Sequence, residues 1–319
     1  MLRPRLLNVK IQGYKSIAHD HAVDLRLRDV TLLLGPNGAG KSNILGFFQL
    51  LSHMMSGSVQ FYVELAGTSH ALLHFGAKTT PELSGNLVFA LDAMPDTTLN
   101  YTFTLANTAD HRLMVAHETL TTQSTTDGES QPLMLPPNYR ESALFDSRSP
   151  LAEAVRHHLI QVGRYQFHDS SISGPLRQAS PDDTAHYLQN NATNLAAFLL
   201  FLRDNHPTQF REIEDYVRWV VPAFRAFYLE PNHGFVSLKW VDKTGADYVL
   251  SADQLSDGSL RFIALATLLL QPQQTMAPVV LLDEPELGLH PAAIDDLAHL
   301  VKVASKKAQI LISTQSSQL

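Results

Sequence analysis

The chain contains no cysteine. That excludes a disulfide framework, a thiolate zinc site and a cysteine nucleophile, and it fits a reducing compartment. Long apolar runs are missing too. The longest, Phe262 to Leu270, is broken by Gln271-Pro272, well short of the ~18 residues a membrane span needs. No apolar run of signal-peptide length follows Met1-Leu2-Arg3-Pro4-Arg5, so the expected location is cytoplasmic and no membrane partner is expected. Basic charge is scarce: 24 Lys and Arg stand against 31 Asp and Glu, for a net charge of −7. The basic clusters are short, Arg3/Arg5 and Arg26/Arg28 among them. A protein living on DNA shows a basic face, so strong sequence-independent DNA binding by a monomer is not expected, while a groove formed on pairing stays open. The 15 histidines are scattered, with only His157-His158 adjacent, and give no ligand spacing for a transition metal. No heptad persists and no internal repeat is present. What remains is 319 residues with 45% hydrophobic and 17% charged content, the makeup of a globular protein able to bury a large core.

The most informative stretch is Gly35-Pro36-Asn37-Gly38-Ala39-Gly40-Lys41-Ser42, which fits the phosphate-binding P-loop pattern G-x4-G-K-[ST]. Val30-Thr31-Leu32-Leu33-Leu34 before it reads as a buried strand. After it, Asn43 to Met54 places Ile44, Leu45, Phe47, Phe48 and Leu51 at helical spacing. In that strand–helix context the backbone of Asn37, Gly38, Ala39 and Gly40, continuing into Asn43, turns its N–H groups toward a phosphate chain at a positive helix end. Lys41 is expected on the β and γ phosphates and Ser42 on magnesium.

Along the rest of the chain, Leu6 to Gln12 and Val23 to Leu27 read as strands, with a turn at Gly13-Tyr14-Lys15-Ser16-Ile17 between them. The pattern from Gly57 to Phe75 decides for neither helix nor strand. Asn86–Leu91, Leu99–Leu105 and Leu113–Thr121 are β-like runs with turn-forming separators, Met94-Pro95-Asp96 and Asn107-Thr108-Ala109-Asp110. They read as an antiparallel meander added to the nucleotide-binding sheet. Ser124 to Pro137 reads as a surface loop, Pro150 to Ile160 as a helix, and Gly163 to Asp169 as a strand ending in polar groups. Asn194 to Arg203 and Gln209 to Val221 carry apolar residues three or four apart, with His206-Pro207 as a break. They make a compact helical insertion, too short for a coiled-coil arm. Phe227–Glu230, Phe235–Val241 and Asp247–Leu250 return to strand character.

Pro278-Val279-Val280-Leu281-Leu282-Asp283-Glu284-Pro285 is an aliphatic run ending in two carboxylates, suited to a central parallel strand covered on both faces. Asp283 at its carboxyl end is placed to hold magnesium, directly or through water, and Glu284 to polarise a water aimed at the γ-phosphate. Upstream, Leu255-Ser256-Asp257-Gly258-Ser259 opens an apolar helix from Leu260 to Leu270. Ser256 is a natural N-cap, and with Gly258 it also offers a hydroxyl and backbone N–H groups to an anion.

The order of these motifs resembles a known family. LSDGS resembles the LSGGQ signature of ABC-type ATPases and lies shortly before DEPE, as in them. Leu287-Gly288-Leu289-His290-Pro291 falls at the D-loop, Ile310 to Ser316 matches the last strand and switch, and Gly13 to Ile17 is similar to the first turn of the RecF/SMC branch. The resemblance covers both ends of the chain, leaves Ser56 to Asp253 largely outside, and is nearest to small bacterial RecF/SMC-like ATPases, relatives of the OLD and Septu-type defence ATPases. It implies ATP and Mg2+ as ligands, with Ser256 and Gly258 of one copy reaching the γ-phosphate held by the P-loop of another. It further implies nucleotide contacts from Lys15 and Ser16, and a Q-loop role for Gln166 on the metal. Two residues depart from the pattern. Asp257 replaces a signature glycine, which places a carboxylate either near the phosphates or in favour of the helix N-terminus. Gln315 stands where ABC transporters carry a switch histidine, and an amide cannot act as an acid or base near neutral pH, so hydrolysis is expected to be slow.

The fold expected is therefore α/β, a P-loop NTPase of ABC/SMC type having a mixed sheet with an antiparallel β lobe and a short helical insertion. Its parts are residues 1–168, an insertion at 169–225, and 226–319. The function expected is ATP binding, ATP-gated homodimerisation and slow hydrolysis through Glu284, Lys41 and Gln315, serving a protein effector such as a nuclease in phage defence or DNA repair, with DNA a further partner. The competing reading is a nucleotide-dependent clamp on DNA or protein with negligible turnover. Because Leu319 follows the switch strand so closely, a segment beyond it is also expected.

Overall fold

A computed structural model describes residues 2–319 apart from 125, 127, 129, 134, 136–139, 184, 185, 246 and 247. The chain divides into two units, residues 1–28 with 37–162, and residues 29–36 with 163–319. The P-loop stretch runs from the second into the first.

Strands β1 (Pro4–Gln12) and β2 (Val23–Arg26) open the chain, followed by β3 (Val30–Leu34), α1 (Lys41–Met55) and the short helices α2 (Val59–Leu65) and α3 (Ser69–Leu72). The stretch from Gly57 to Phe75 that periodicity left undecided is thus helical, in pieces too short to show a face. The long strands β4 (Glu82–Leu91), β5 (Met94–Asn107) and β6 (Leu113–Ser124) follow, then β7 (Ser130–Leu133), α4 (Ala143–Asp146) and α5 (Pro150–Ile160). Here the sequence reading needs three corrections. Met94-Pro95-Asp96 begins β5 rather than turning. Ser130–Leu133, expected in a loop, pairs antiparallel with β6. The meander does not extend the P-loop strand's sheet, but joins β1 and β2 in a six-stranded sheet of its own, ordered β2-β1-β4-β5-β6-β7. Alternation explains β4: Leu83, Leu87, Phe89 and Leu91 are buried while their neighbours are not, the mark of a sheet covered on one face. Helix α1 buries Leu45, Phe47, Phe48, Leu51 and Met54 in this unit, each worth roughly 1.5–3 kcal/mol of burial.

The second unit continues with β8 (Gly163–Tyr165), β9 (Ser180–Pro181), α6 (Leu195–Asn205), α7 (Pro207–Val220), β10 (Phe224–Tyr228), β11 (Phe235–Val236), β12 (Lys239–Asp242) and β13 (Val249–Ser251). It closes with α8 (Asp257–Leu270), β14 (Val279–Asp283), α9 (Pro291–Ala304) and β15 (Gln309–Thr314). Its main sheet is parallel throughout, ordered β3-β15-β14-β8. Every residue of β14 and β15 is buried, as unbroken aliphatic runs demand in a sheet covered on both sides. β3 is the exception to expectation. It lies at the edge, with Leu32 and Leu34 exposed, because strand order decides burial and the local sequence does not carry it. Helix α8 is apolar nearly all round and is buried from Phe262 to Leu270, as a helix in the interior must be. Among the described residues no helix is long and apolar enough to cross a membrane.

Candidate functional site

In the first unit, the P-loop delivers the chain into α1 through Gly40, which caps the helix at φ 89°. A side chain there would be strained, and its Cβ would stand 2.8 Å from the Ser16 hydroxyl. Gly38 is also left-handed, at φ 82°, with open space where a Cβ would point. Asn37, Gly38, Ala39 and Ser42 are exposed, while Lys41 is buried. Asn43 donates its side-chain amide to the Ser16 hydroxyl at 2.7 Å, which holds Ser16 against the start of α1. Lys15 turns its ammonium over the Tyr14 ring, 5.4 Å from the centroid.

In the second unit, parallel pairing sets Asp283 opposite Ser313 at the carboxyl ends of β14 and β15. The Ser313 hydroxyl donates to Asp283 Oδ1 at 2.5 Å and Arg164 Nη2 donates to Oδ2 at 2.7 Å. The next residue, Glu284, has φ 47°, a left-handed conformation that is uncommon outside glycine and concentrates at functional sites. There its Oε1 accepts the Gln315 side-chain amide at 2.5 Å. Glu286 binds the same segment from the other direction. Its Oε1 accepts the Thr314 hydroxyl at 2.5 Å and the Gln315 backbone N–H at 3.1 Å, while its Oε2 is buried without a hydrogen-bond partner. Gln166 is exposed and meets Nδ1 of His168 at 3.2 Å; His168 Nε2 in turn donates to the Asp283 carbonyl at 3.1 Å. Beside these groups lies a small cleft floored by Tyr165, Phe167, Leu265 and Leu282. Burial pushes the Tyr165 hydroxyl up to about 12, so it stays protonated.

The signature turn is tied to the same end of the sheet. Ser256 caps α8 by accepting the Ser259 N–H at 3.1 Å. The carboxylate of Asp257 is paired with Arg177 at 2.9 Å, whose guanidinium also binds the Ala252 and Leu255 carbonyls. Gly258 packs on the turn after β14: a Cβ there would come within 2.6 Å of the Gly288 carbonyl. Arg261, one turn further along α8, donates to the Leu287 carbonyl at 2.9 Å and the His168 carbonyl at 2.7 Å. One guanidinium therefore joins α8, the turn after β14 and the segment after β8.

Arg164, Arg177, Arg261 and Glu286 were not anticipated from the sequence. For Arg164 and Gln166 a signal existed, since alternation after Gly163 puts both on the face opposite Tyr165 and Phe167. Nothing local marked the other two arginines as partners of residues far along the chain.

The residues fit magnesium with a nucleotide only in part. Mg2+ usually takes one or two carboxylates, keeps several waters and draws on the substrate's phosphates. Among the described residues no group of three or more His, Cys, Asp or Glu could hold a metal. Asp283 has both oxygens engaged, by Arg164 and Ser313, and its remaining lone pairs suit a metal-bound water better than direct ligation.

A glycine loop on a strand–helix turn and a parallel sheet whose strand β14 ends in Asp283 before Glu284 are the parts of a P-loop NTPase fold. The chain belongs to the family described as "AAA domain, putative AbiEii toxin, Type IV TA system", which matches residues 30–319. Among solved structures, it is similar to an SMC head bound to the C-winged helix domain of ScpA, with TM-score 0.55 and 17% identity over 98% of this chain and 90% of that one. It is also similar to the SMC head domain from Thermotoga maritima, with TM-score 0.50 and 14% identity over 98% and 90% of the two chains. No curated protein matches the chain.

Proposed function

We propose that the chain is an ATP-driven switch: it binds Mg-ATP, pairs with a second copy around two nucleotides, and hydrolyses them slowly. Lys41 holds the β and γ phosphates, Ser42 and Asp283 secure the metal, and Gln166 contributes to its water shell. The metal, when bound, offsets charge on the phosphates. Asn37 to Gly40 and Asn43 offer backbone N–H groups to the phosphates, with Lys15 and Ser16 beside them. Glu284 orients and deprotonates the attacking water, and Gln315 reports the γ-phosphate to it by hydrogen bond. Ser256 and Gly258 of the second copy cover that phosphate. Paired Asp257 adds little repulsion, because Arg177 balances its charge.

The observation that most supports this reading is the hydrogen bond between Gln315 and Glu284 at the ends of adjacent parallel strands, which joins the switch position to the expected base. The same bond favours slow turnover, since Glu284 must give up an amide partner to bind water. By likeness to the SMC head bound to a winged-helix domain, a protein effector reads the switch; DNA is a further candidate partner.

The test is the mass in solution of Glu284→Gln with and without ATP, repeated with DNA and in a Ser256→Arg background. ATP-dependent doubling of mass that Ser256→Arg abolishes is the expected result. Pairing that survives Ser256→Arg, or no uptake of Mg-ATP, would overturn the reading.

A further inference from the structure

In the first unit the turn carrying Lys15 and Ser16 is lined by a segment, residues 72–76, that the sequence motifs do not include. Ser16, bound by Asn43 and packed on Gly40, is followed back along the chain by Lys15 and Tyr14, which run antiparallel beside residues 72–74. Tyr14 bridges Leu73, the Lys15 N–H donates to the Leu72 carbonyl at 2.8 Å, and the His74 N–H donates to the Gly13 carbonyl at 3.0 Å. His74 Nδ1 adds a bond to the Lys15 carbonyl at 2.8 Å. A carbonyl only accepts, so Nδ1 carries the proton and the ring is fixed in place. The tight turn that follows is closed by the Gly76 N–H on the Leu73 carbonyl at 3.0 Å, and at its tip stands Phe75.

Phe75 is in the wrong place for a residue serving only the fold. Its φ is 53°, a conformation glycine adopts freely and a bulky side chain rarely does. It gains little packing in return, since the ring is 81% exposed and its close aromatic neighbour is His74, 4.3 Å away between centroids. Strained backbone clusters at ligand clamps and other functional sites, and here it carries an exposed aromatic ring. The nucleoside of a bound nucleotide is attached to the α-phosphate, which the P-loop backbone cradles. The Ser16–Lys15–His74–Phe75 strip adjoins that loop through Ser16, which is bound by Asn43 and stands against Gly40.

We propose that Phe75, backed by His74, is the platform on which the nucleobase of the P-loop's nucleotide stacks. The inference rests on reading the P-loop as a nucleotide site. Every base presents a π-face, and stacking on an aromatic side chain needs no hydrogen-bond code. The platform therefore adds affinity for a nucleotide over a bare polyphosphate without strongly choosing among purines.

The experiment compares Mg-ATP and Mg-tripolyphosphate binding to the full chain in wild type, Phe75→Ala, Phe75→Gly and Phe75→Trp, with thermal unfolding of each. Stacking contributions of this kind correspond to a loss of about fivefold to a hundredfold on truncation. Phe75→Ala and Phe75→Gly are expected to lose that much ATP affinity and keep tripolyphosphate affinity, while Phe75→Trp keeps both. Phe75→Gly, freed of strain, is expected to unfold no earlier than wild type. Unchanged ATP affinity in the Ala and Gly variants overturns the platform alone and assigns the ring to another partner. An equal loss for ATP and tripolyphosphate also overturns it, as damage to the loop. Wild type binding neither ligand overturns the nucleotide site itself along with the platform.

Discussion

The side-chain amide of Gln315 donates to Oε1 of Glu284 at 2.5 Å, across the ends of two strands paired in register from Val279 to Asp283. The expected base is thus held by a group that can neither accept nor deliver a proton near neutral pH. Glu284→Gln is expected to lower ATP turnover by about 10²–10⁴, the usual worth of a general base, with nucleotide affinity retained. Gln315→His puts a titratable ring at the same place and is expected to raise turnover. Phosphate release measured under single-turnover conditions reads both, and an unchanged rate in Gln315→His would count against the role given to the amide.

Glu286 holds the backbone that carries Gln315. Its Oε1 binds the Thr314 hydroxyl and the Gln315 backbone N–H, which fixes where the amide side chain starts. If Glu286 acts through Gln315, the two substitutions cannot add. Glu286→Ala is expected to lower turnover in the wild-type background and to have almost no further effect in Gln315→Ala. The non-additivity corresponds to about 0.5–3 kcal/mol in a double-mutant cycle. Strict additivity would show that Glu286 serves the fold only.

What the sequence disclosed and what it withheld divide along a physical line. The P-loop, the Asp-Glu strand end and the capping serine were legible because each is a local pattern in which a few neighbouring residues define one backbone shape. α6 and α7 were legible through the proline break at Pro207 and the amphipathic spacing on each side. The edge position of β3 was not, because its apolar residues look the same whether a neighbour covers them or not. Nor was Ser130–Leu133, whose strand character comes from pairing with β6 rather than from its own residues. The partnership of Arg164 with Asp283 spans 119 positions and was invisible for the same reason.

That partnership carries its own expectation. Asp283 is 7% exposed and Arg164 20%, so removing the guanidinium leaves a nearly buried carboxylate with one hydroxyl donor. Breaking such a pair from one side costs about 3–5 kcal/mol when fully buried, and the partial exposure of Arg164 brings the figure toward ~2–3 kcal/mol. Arg164→Met is expected to destabilise the second unit by that amount, and adding Asp283→Asn to recover much of it. Both tryptophans, Trp219 and Trp240, belong to this unit, so urea unfolding followed by tryptophan fluorescence reports it directly. No recovery in the double variant would mean that the arginine stabilises through packing.

His158 gives the first unit a pH dependence of its own. On α5 it is 6% exposed, lies edge-on to Phe89 with ring centroids 5.7 Å apart, and leaves Nε2 without a hydrogen-bond partner. Burial lowers its pKa from 6.5 to about 4, so the folded protein keeps the ring neutral where the unfolded chain would protonate it. The unfolded state binds the extra proton between those two values, and stability therefore falls as pH drops from 6.5 to about 4, by roughly 3 kcal/mol across the whole window. Above 6.5 both states are neutral and the contribution is complete. His158→Phe, which removes the titration and fills the same space, is expected to flatten this segment of the stability profile while leaving the neutral-pH value at or above wild type. Denaturation at a series of pH values, followed by far-ultraviolet circular dichroism because the first unit has no tryptophan, measures both effects. A variant whose stability still falls as steeply between 6.5 and 4 would place the acid sensitivity elsewhere in the chain.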